Sequence, residues 1–166
     1  ADNTRPPAVL LQPGSSRFRL NAVLATASVT SDAQFLVLTV EGTGSTRTDI
    51  WLLPLRSGAE PVPLVAQEFE QSHGRISPDG RWLAYVSNES GANEVYVSLL
   101  TVDPTTKVPT AGTKLLVSRG GGASPRWRRD SRELFYQRAG GTVMAVEVSA
   151  GQIGAPQELF RARGAQ

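Results

Sequence analysis

The sequence of 166 residues contains no cysteine, a single histidine and no long apolar run. Without cysteine, the chain has no disulfide, no thiolate nucleophile and no cysteine-based zinc site. One histidine, His73, is too few for a multi-histidine metal centre. No stretch approaches the roughly 20 apolar residues that a membrane-spanning helix needs. We therefore expect no metal, no cofactor and no direct membrane insertion.

Motifs for catalysis and for phosphate binding are also missing. A serine hydrolase needs an activated serine beside a base that a carboxylate orients, and the chain has no Gly-x-Ser-x-Gly elbow. The glycine-rich residues 42–45 and 120–122 lack the Lys-Ser/Thr ending of a P-loop. These absences predict a segment that is not an enzyme.

An excess of charge of one sign is absent as well, because the formal net charge is +2 and charged residues make up 19% of the chain. The densest basic stretch is residues 126–129, RWRR, between Arg119 and Arg132. A chain that binds nucleic acid gathers lysine and arginine on one face, whereas this interleaving is equally typical of strand alternation. We expect no nucleic-acid partner.

What the sequence does contain is an internal repeat. Three segments share an apolar residue, a turn with aspartate, one or two polar residues and then an apolar strand; they are residues 29–40 (VTSDAQFLVLTV), 76–87 (ISPDGRWLAYVS) and 127–138 (WRRDSRELFYQR). The turn aspartates are Asp32, Asp79 and Asp130, so the steps are 79 − 32 = 47 and 130 − 79 = 51 residues. That period is typical of four-stranded β-propeller blades.

Each repeat continues with further strand patterns. A third strand is predicted at residues 49–55, 93–99 and 142–148, and a short outer strand at residues 62–65, 114–117 and 158–160. Helical periodicity is not sustained anywhere. We expect an all-β chain, a single partial propeller domain over residues 1–166. Its three antiparallel blades are predicted at about residues 20–66, 67–118 and 119–162, and residues 8–11 are predicted as a leftover outer strand of a preceding blade.

Three blades are fewer than a closed ring needs, since propellers have about four to eight. The chain is therefore expected to be part of a larger propeller, or half of one. In the second case two chains pair as a homodimer that closes a six-bladed ring. Pairing or continuation would also cover sheet edges that otherwise invite aggregation.

The repeats carry a family likeness. Residues 77–97 (SPDGRWLAYVSNESGANEVYV) and 120–136 (GGGASPRWRRDSRELFY) resemble the blades of TolB-like, WD-repeat-like bacterial β-propellers. The combined pattern is most similar to the C-terminal propeller of bacterial membrane-anchored serine/threonine kinases. Two turns depart from the family pattern, because Ala33 and Ser131 follow the aspartate where the family has glycine. The resemblance implies a six- to eight-bladed ring, often periplasmic or otherwise outside the cytoplasm, that binds proteins or small ligands.

Candidate binding residues come from the innermost strands and their entry loops, which line the channel of a propeller. They are His73 and Arg75 in the second repeat and Arg126 and Arg128 in the third. Arginine there can form paired hydrogen bonds to the carboxylates of a peptide or a sugar acid. We expect a non-catalytic module, a scaffold or an extracytoplasmic sensor, that binds a protein, peptide or small ligand. The alternative is the substrate-filtering propeller of a prolyl-oligopeptidase-like serine peptidase.

Overall fold

The computed structural model describes residues 23–41, 48–56, 58–149 and 152–161, with side chains from residue 28 onward. These residues form thirteen β-strands in three antiparallel sheets and contain no helix, so the predicted all-β class is confirmed. Accordingly, no described helix is long and apolar enough to cross a membrane. The predicted strand at residues 8–11 and the glycine-rich residues 42–45 lie outside the described residues.

Each sheet is one blade, numbered here in chain order. Blade 1 contains β1 (Val23–Val29), β2 (Phe35–Glu41), β3 (Thr48–Pro54) and β4 (Val62–Val65) in that spatial order. Blade 2 contains β5 (Gln71–Ile76), β6 (Trp82–Ser87), β7 (Glu94–Val102) and β8 (Pro109–Leu116), again in sequence order. Blade 3 contains β9 (Ala123–Trp127), β10 (Glu133–Arg138) and β11 (Thr142–Ser149), and β11 also pairs with β12 (Gln152–Ile153) and β13 (Gln157–Arg161).

The turn between the first and second strands is the same in all three blades. The aspartate carboxylate accepts a hydrogen bond from the amide two residues later, at Gln34, Arg81 and Arg132. The residue after each aspartate has a positive φ: 55° at Ala33, 75° at Gly80 and 63° at Ser131. Side-chain bonding by aspartate thus sets the turn even where the favoured glycine is replaced.

The three turns also contact one another. Ser31 Oγ of blade 1 donates a hydrogen bond to the carbonyl of Pro78 in blade 2. The amide of Asp79 in blade 2 donates to Ser131 Oγ of blade 3 at 2.9 Å. Hydroxyl groups next to the aspartates therefore join consecutive blades along this side of the molecule, which we call the turn side.

Ala33→Gly should raise the free energy of unfolding by about 0.5 kcal/mol, as measured by chemical denaturation. The left-handed conformation costs alanine about 1–2 kcal/mol, and glycine removes this cost. Glycine also gives the unfolded chain more conformational freedom, which lowers the free energy of unfolding by about 0.4–1 kcal/mol. Ser131→Gly relieves the same conformation but removes the acceptor of the Asp79 amide, so it should destabilise the chain. Equal effects of the two substitutions would contradict this account.

The core lies between the blades. We call the sheet face that packs on the next blade, as in blades 1 and 2, the forward face, and the opposite face, which in blades 2 and 3 packs on the preceding blade, the rear face. Blade 1 contributes Phe35, Val37, Ile50 and Leu52 to a buried cluster with Leu83, Tyr85, Tyr96 and Leu100 of blade 2. Blade 2 contributes Trp82, Ala84, Val86, Val95 and Val97 to a cluster with Leu134, Tyr136, Met144, Val146 and Val148 of blade 3. Burial of alternate residues on both faces explains why the strands are nearly continuously apolar.

Two outer strands differ from the prediction. β8 begins at Pro109 instead of residue 114. β7 is longer as well, and its residues after Leu99 pair with β8 but no longer with β6. The tip of this hairpin is closed by Asp103, whose carboxylate accepts bonds from the amides of Thr105 and Thr106 at 2.9 and 2.6 Å. This local bonding supports a longer ribbon than the apolar pattern alone predicts. The short β12 was not predicted.

Candidate functional site

The innermost strands of blades 2 and 3 share an irregularity. In β5 the pairing with β6 shifts between Ser72 and Arg75, and β9 has a corresponding shift against β10. A non-glycine residue with positive φ lies at each shift, His73 at 56° and Ser124 at 52°. Bulges of this kind redirect side chains and are common next to binding sites.

Each bulge is followed by an arginine in the same local conformation. Nη1 of Arg75 donates to the carbonyl of Gly74 at 3.0 Å, and Nη1 of Arg126 donates to the carbonyl of Pro125 at 2.9 Å. Arg75 pairs across the sheet with Ala84 and Arg126 pairs with Phe135, so both arginines lie on forward faces. The structure thus presents two equivalent guanidinium groups at the inner edges of adjacent blades.

Electrostatics show that three of the predicted site residues are close together. Burial, followed by the charges of Arg75 and Arg126, lowers the pKa of His73 below its ordinary value. Burial and the charge of Arg126 lower the pKa of Arg75 as well. His73 is therefore largely neutral at pH 7, and its Nδ1 lies 3.0 Å from Ser72 Oγ. The cluster carries two permanent positive charges and one imidazole.

Arg128, the fourth predicted residue, is not brought to this cluster. It lies in the turn after β9, where Nε and Nη2 donate to the carboxylate of Asp130 at 2.9 and 2.7 Å and Nη1 donates to Glu133 at 2.6 Å. The hydrogen bond from Arg128 is the main cause that lowers the pKa of Asp130 to about 2. The corresponding residues Thr30 and Ser77 also bond the turn aspartate. Arg128 is thus the turn residue of blade 3 that bonds the aspartate, as Thr30 and Ser77 are in blades 1 and 2.

Two further residues hold the inner strands together across the blades. Trp127 Nε1 donates to the carbonyl of Arg75 at 2.9 Å, and Ser28 Oγ donates to the carbonyl of Gly74 at 3.3 Å. Ser28 precedes Asp32 by four residues, the same spacing that separates Arg75 from Asp79 and Arg126 from Asp130. When the three repeats are aligned on their turn aspartates, Ser28, Arg75 and Arg126 therefore occupy equivalent positions on the innermost strands. Sequence reasoning missed Ser28, although this spacing was available.

Open space lies on the turn side between consecutive blades. A groove of about 750 Å³ separates blades 1 and 2 and is walled by the tip of the β7–β8 hairpin. A second groove, of about 700 Å³, lies between blades 2 and 3, and Trp82, Glu147 and Ser149 are among its lining residues. Within the described part of the chain, no three histidine, aspartate or glutamate side chains are grouped as metal ligands.

Comparison with known proteins supports the fold. TolB from Acinetobacter baumannii superimposes with a TM-score of 0.54 and 16% identity, covering 82% of this chain and 32% of TolB. An auxiliary nutrient binding protein from Bacteroides thetaiotaomicron VPI-5482 superimposes with a TM-score of 0.56 and 13% sequence identity. That superposition covers 84% of this chain and 32% of that protein. The chain therefore spans about a third of each structure. Its three sheets correspond to blades of a TolB-like β-propeller.

One curated protein is similar in sequence over part of the chain. Tricorn protease homolog 1 from Streptomyces coelicolor is 34% identical over 92 residues, which are 55% of this chain and 8% of that protein. The matched segment is thus a small fraction of a much longer protein. No protein-family model matches the chain.

Proposed function

We propose that this chain is a non-catalytic β-propeller module that binds an anionic ligand at the inner edges of blades 2 and 3. The ligand carries a carboxylate and is a peptide or a small molecule. The observation that carries the proposal is the repeated arrangement of Arg75 and Arg126, each two residues beyond a bulge and each held by the preceding carbonyl.

Charge is the physical reason for the choice of ligand. Burial, followed by the charge of Arg126, lowers the pKa of the half-buried Arg75, and the second cause means that the two guanidinium groups repel each other. A carboxylate between them would offset that repulsion and accept charge-assisted hydrogen bonds in the planar geometry of the guanidinium. His73, largely neutral beside them, adds an imidazole nitrogen for a polar group of the ligand.

The role that follows is recognition rather than chemistry. The two arginines and His73 offer donors and charge but no activated nucleophile, and because one fold hosts many functions, the role is argued from these site residues. We place the module outside the cytoplasm, as a scaffold or sensor domain, in line with the resemblance to TolB-like propellers. Fractionation of cells that produce the parent protein tests this location.

Removal of either arginine should weaken binding of citrate, or of an acidic peptide with a free C-terminal carboxylate, in isothermal titration. Arg75→Ala and Arg126→Ala should each raise Kd about tenfold or more, since a hydrogen bond to a charged group contributes about 1.5–3 kcal/mol. Arg119→Ala is the control, because Arg119 is exposed in the connection between blades 2 and 3. Equal Kd values for all three variants, or no binding to the wild-type chain, would contradict the proposal.

A second candidate function is the substrate-filtering propeller of a peptidase. The partial sequence likeness to a tricorn protease homologue favours it. In that case the same inner-edge arginines would contact the acidic groups of a peptide substrate on its way to a separate catalytic domain. A parent gene with a peptidase domain supports this candidate. A parent gene with a transmembrane segment and a kinase domain instead supports the kinase-linked sensor.

A further inference from the structure

The hairpin formed by β7 and β8 extends beyond the rest of blade 2 on the turn side. β6 begins at Trp82, which pairs with Leu99, whereas β7 continues to Val102. The residues of β7 after Leu99 pair with β8 on one side, and the described residues place no strand on their other side. The end of β7 therefore forms a short open edge.

The hydrogen bonds around this edge show which backbone groups it presents. The amide of Asp103 donates toward β8, to the carbonyl of Val108 at 3.1 Å, whereas the amide of Leu100 donates to the opposite side, to the carbonyl of Arg81 at 2.8 Å. Backbone groups point to alternate sides along a strand. The N–H and C=O groups of Val102 therefore point away from β8, as those of Leu100 do, and no described strand pairs with them.

The open edge borders the groove between blades 1 and 2. Val102 lines this groove and is 50% exposed, although its side chain shares a sheet face with the buried Leu100. Phe35 and Ile76, which contribute to the apolar core between these blades, line the groove as well. Its volume of about 750 Å³ lies within the range of about 300–1,000 Å³ that is typical of ligand sites. An apolar side chain can therefore lie in the groove while its backbone pairs with Val102.

The charged groups of the groove that are not held by neighbouring residues are cations. Arg56 of blade 1 and Lys107 of the hairpin tip line the groove and are exposed, and neither forms an ion pair with a carboxylate of the described residues. Asp32 and Asp79 also line it, but each carboxylate accepts a hydroxyl and an amide of its own turn. An acidic ligand is thus complementary to the cations that remain.

We propose that the groove between blades 1 and 2 binds an extended peptide segment of another protein, which adds a short strand to the open edge of β7. The segment carries an apolar residue close to an acidic one. Main-chain hydrogen bonds to Val102 contribute affinity, and the apolar groove and the two cations select the sequence. The groove does not include the inner-edge arginines, so this inference does not depend on the anion site.

A library of random heptapeptides displayed on phage and selected against the full chain tests the proposal. We expect enriched sequences with an acidic residue close to an apolar one. For a synthetic enriched peptide, Val102→Pro should raise Kd about tenfold or more in fluorescence anisotropy, because it removes the donor at the open edge. Lys107→Glu should weaken binding similarly by reversing a charge. Arg119→Glu changes an exposed cation between blades 2 and 3 and should leave Kd unchanged.

Thr101→Pro separates loss of the open edge from loss of folding. Thr101 precedes Val102, so its amide points toward β8, and its removal should lower the thermal unfolding midpoint by about 5 °C or more. Val102→Pro removes an amide that no described strand pairs with, and its midpoint should stay within about 2 °C of the wild type. An equal drop for both variants would contradict the assigned edge.

The peptide site is overturned by a selection without enriched sequences or by enriched peptides that bind Val102→Pro as tightly as the wild-type chain. Dimers in light scattering that Val102→Pro dissociates would also overturn it, because the groove would then hold a second copy. Arg75→Ala and Arg126→Ala should leave the Kd of the enriched peptide unchanged. Peptide binding that is lost in these two variants would instead belong to the inner-edge site, so the two proposals fail independently.

Discussion

Glu94→Ala should lower the free energy of unfolding by about 3 kcal/mol in chemical denaturation. Glu94 is the first residue of β7 and is only 6% exposed. Its carboxylate accepts hydrogen bonds from the amides of Gly120 and Gly121 at 2.8 and 2.9 Å and from the hydroxyl of Ser118. These donors belong to the connection between blades 2 and 3, so the glutamate ties that connection to the core of blade 2.

The size of the effect follows from the donors that the substitution leaves behind. A hydrogen bond to a charged group contributes about 1.5–3 kcal/mol, and a buried donor without a partner costs about 1–3 kcal/mol. Ser118 is fully buried and also accepts the amide of Val95 at 2.8 Å, so it is not free to turn toward solvent. Water can reach the exposed Gly120, which limits the total loss.

Two control variants separate this network from a general effect of lost charge. Glu94→Gln keeps the length of the side chain and an oxygen that accepts both glycine amides, so it should cost only about 1 kcal/mol. Glu158→Ala removes a carboxylate from an exposed position on β13 and should change stability by less than about 0.5 kcal/mol. If Glu94→Ala were no more destabilising than Glu158→Ala, the network would have no role in stability.

The all-β class and the positions of the second and third strands of each blade were predictable because their causes are local. Aspartate selects the turn by bonding an amide two residues away, and the apolar run after each turn predicts the strand. In this chain Ala33 and Ser131 stand where the family pattern has glycine. Both turns nevertheless keep the geometry of Gly80, since the aspartate bond is retained.

Features that depend on distant residues were not predictable. The partners of Glu94 lie 26 and 27 positions away, and the indole of Trp127 bonds a carbonyl 52 positions earlier. Arg128 was grouped with Arg126 because both were assigned to the innermost strand of the third repeat or its entry loop. The strand ends at Trp127, so Arg128 belongs to the turn and bonds Asp130. For the candidate site, the repeat was the only feature of the sequence that indicated that His73, Arg75 and Arg126 lie near one another.

Gly74→Ala should lower the free energy of unfolding by about 2 kcal/mol, because Gly74 of blade 2 packs directly against two buried side chains of blade 1. A Cβ atom at this position would lie 2.9 Å from Cγ2 of Ile50 and 3.0 Å from Cγ1 of Val37. Both neighbours are buried at the blade interface, and overpacking of such a site costs about 1–3 kcal/mol. The φ of Gly74 is not in the left-handed region, so the cost comes from packing alone.

Denaturation of matched variants distinguishes this packing effect from a loss of backbone flexibility. Gly154→Ala is the control, since its Cβ would meet Glu147 Cβ at an ordinary 3.4 Å and its φ is also outside the left-handed region; it should change stability by less than about 0.5 kcal/mol. In an Ile50→Ala background the cost of Gly74→Ala should fall, because the methyl group that it meets is gone. An undiminished cost would mean that the bulge next to His73, rather than the blade interface, requires glycine at position 74.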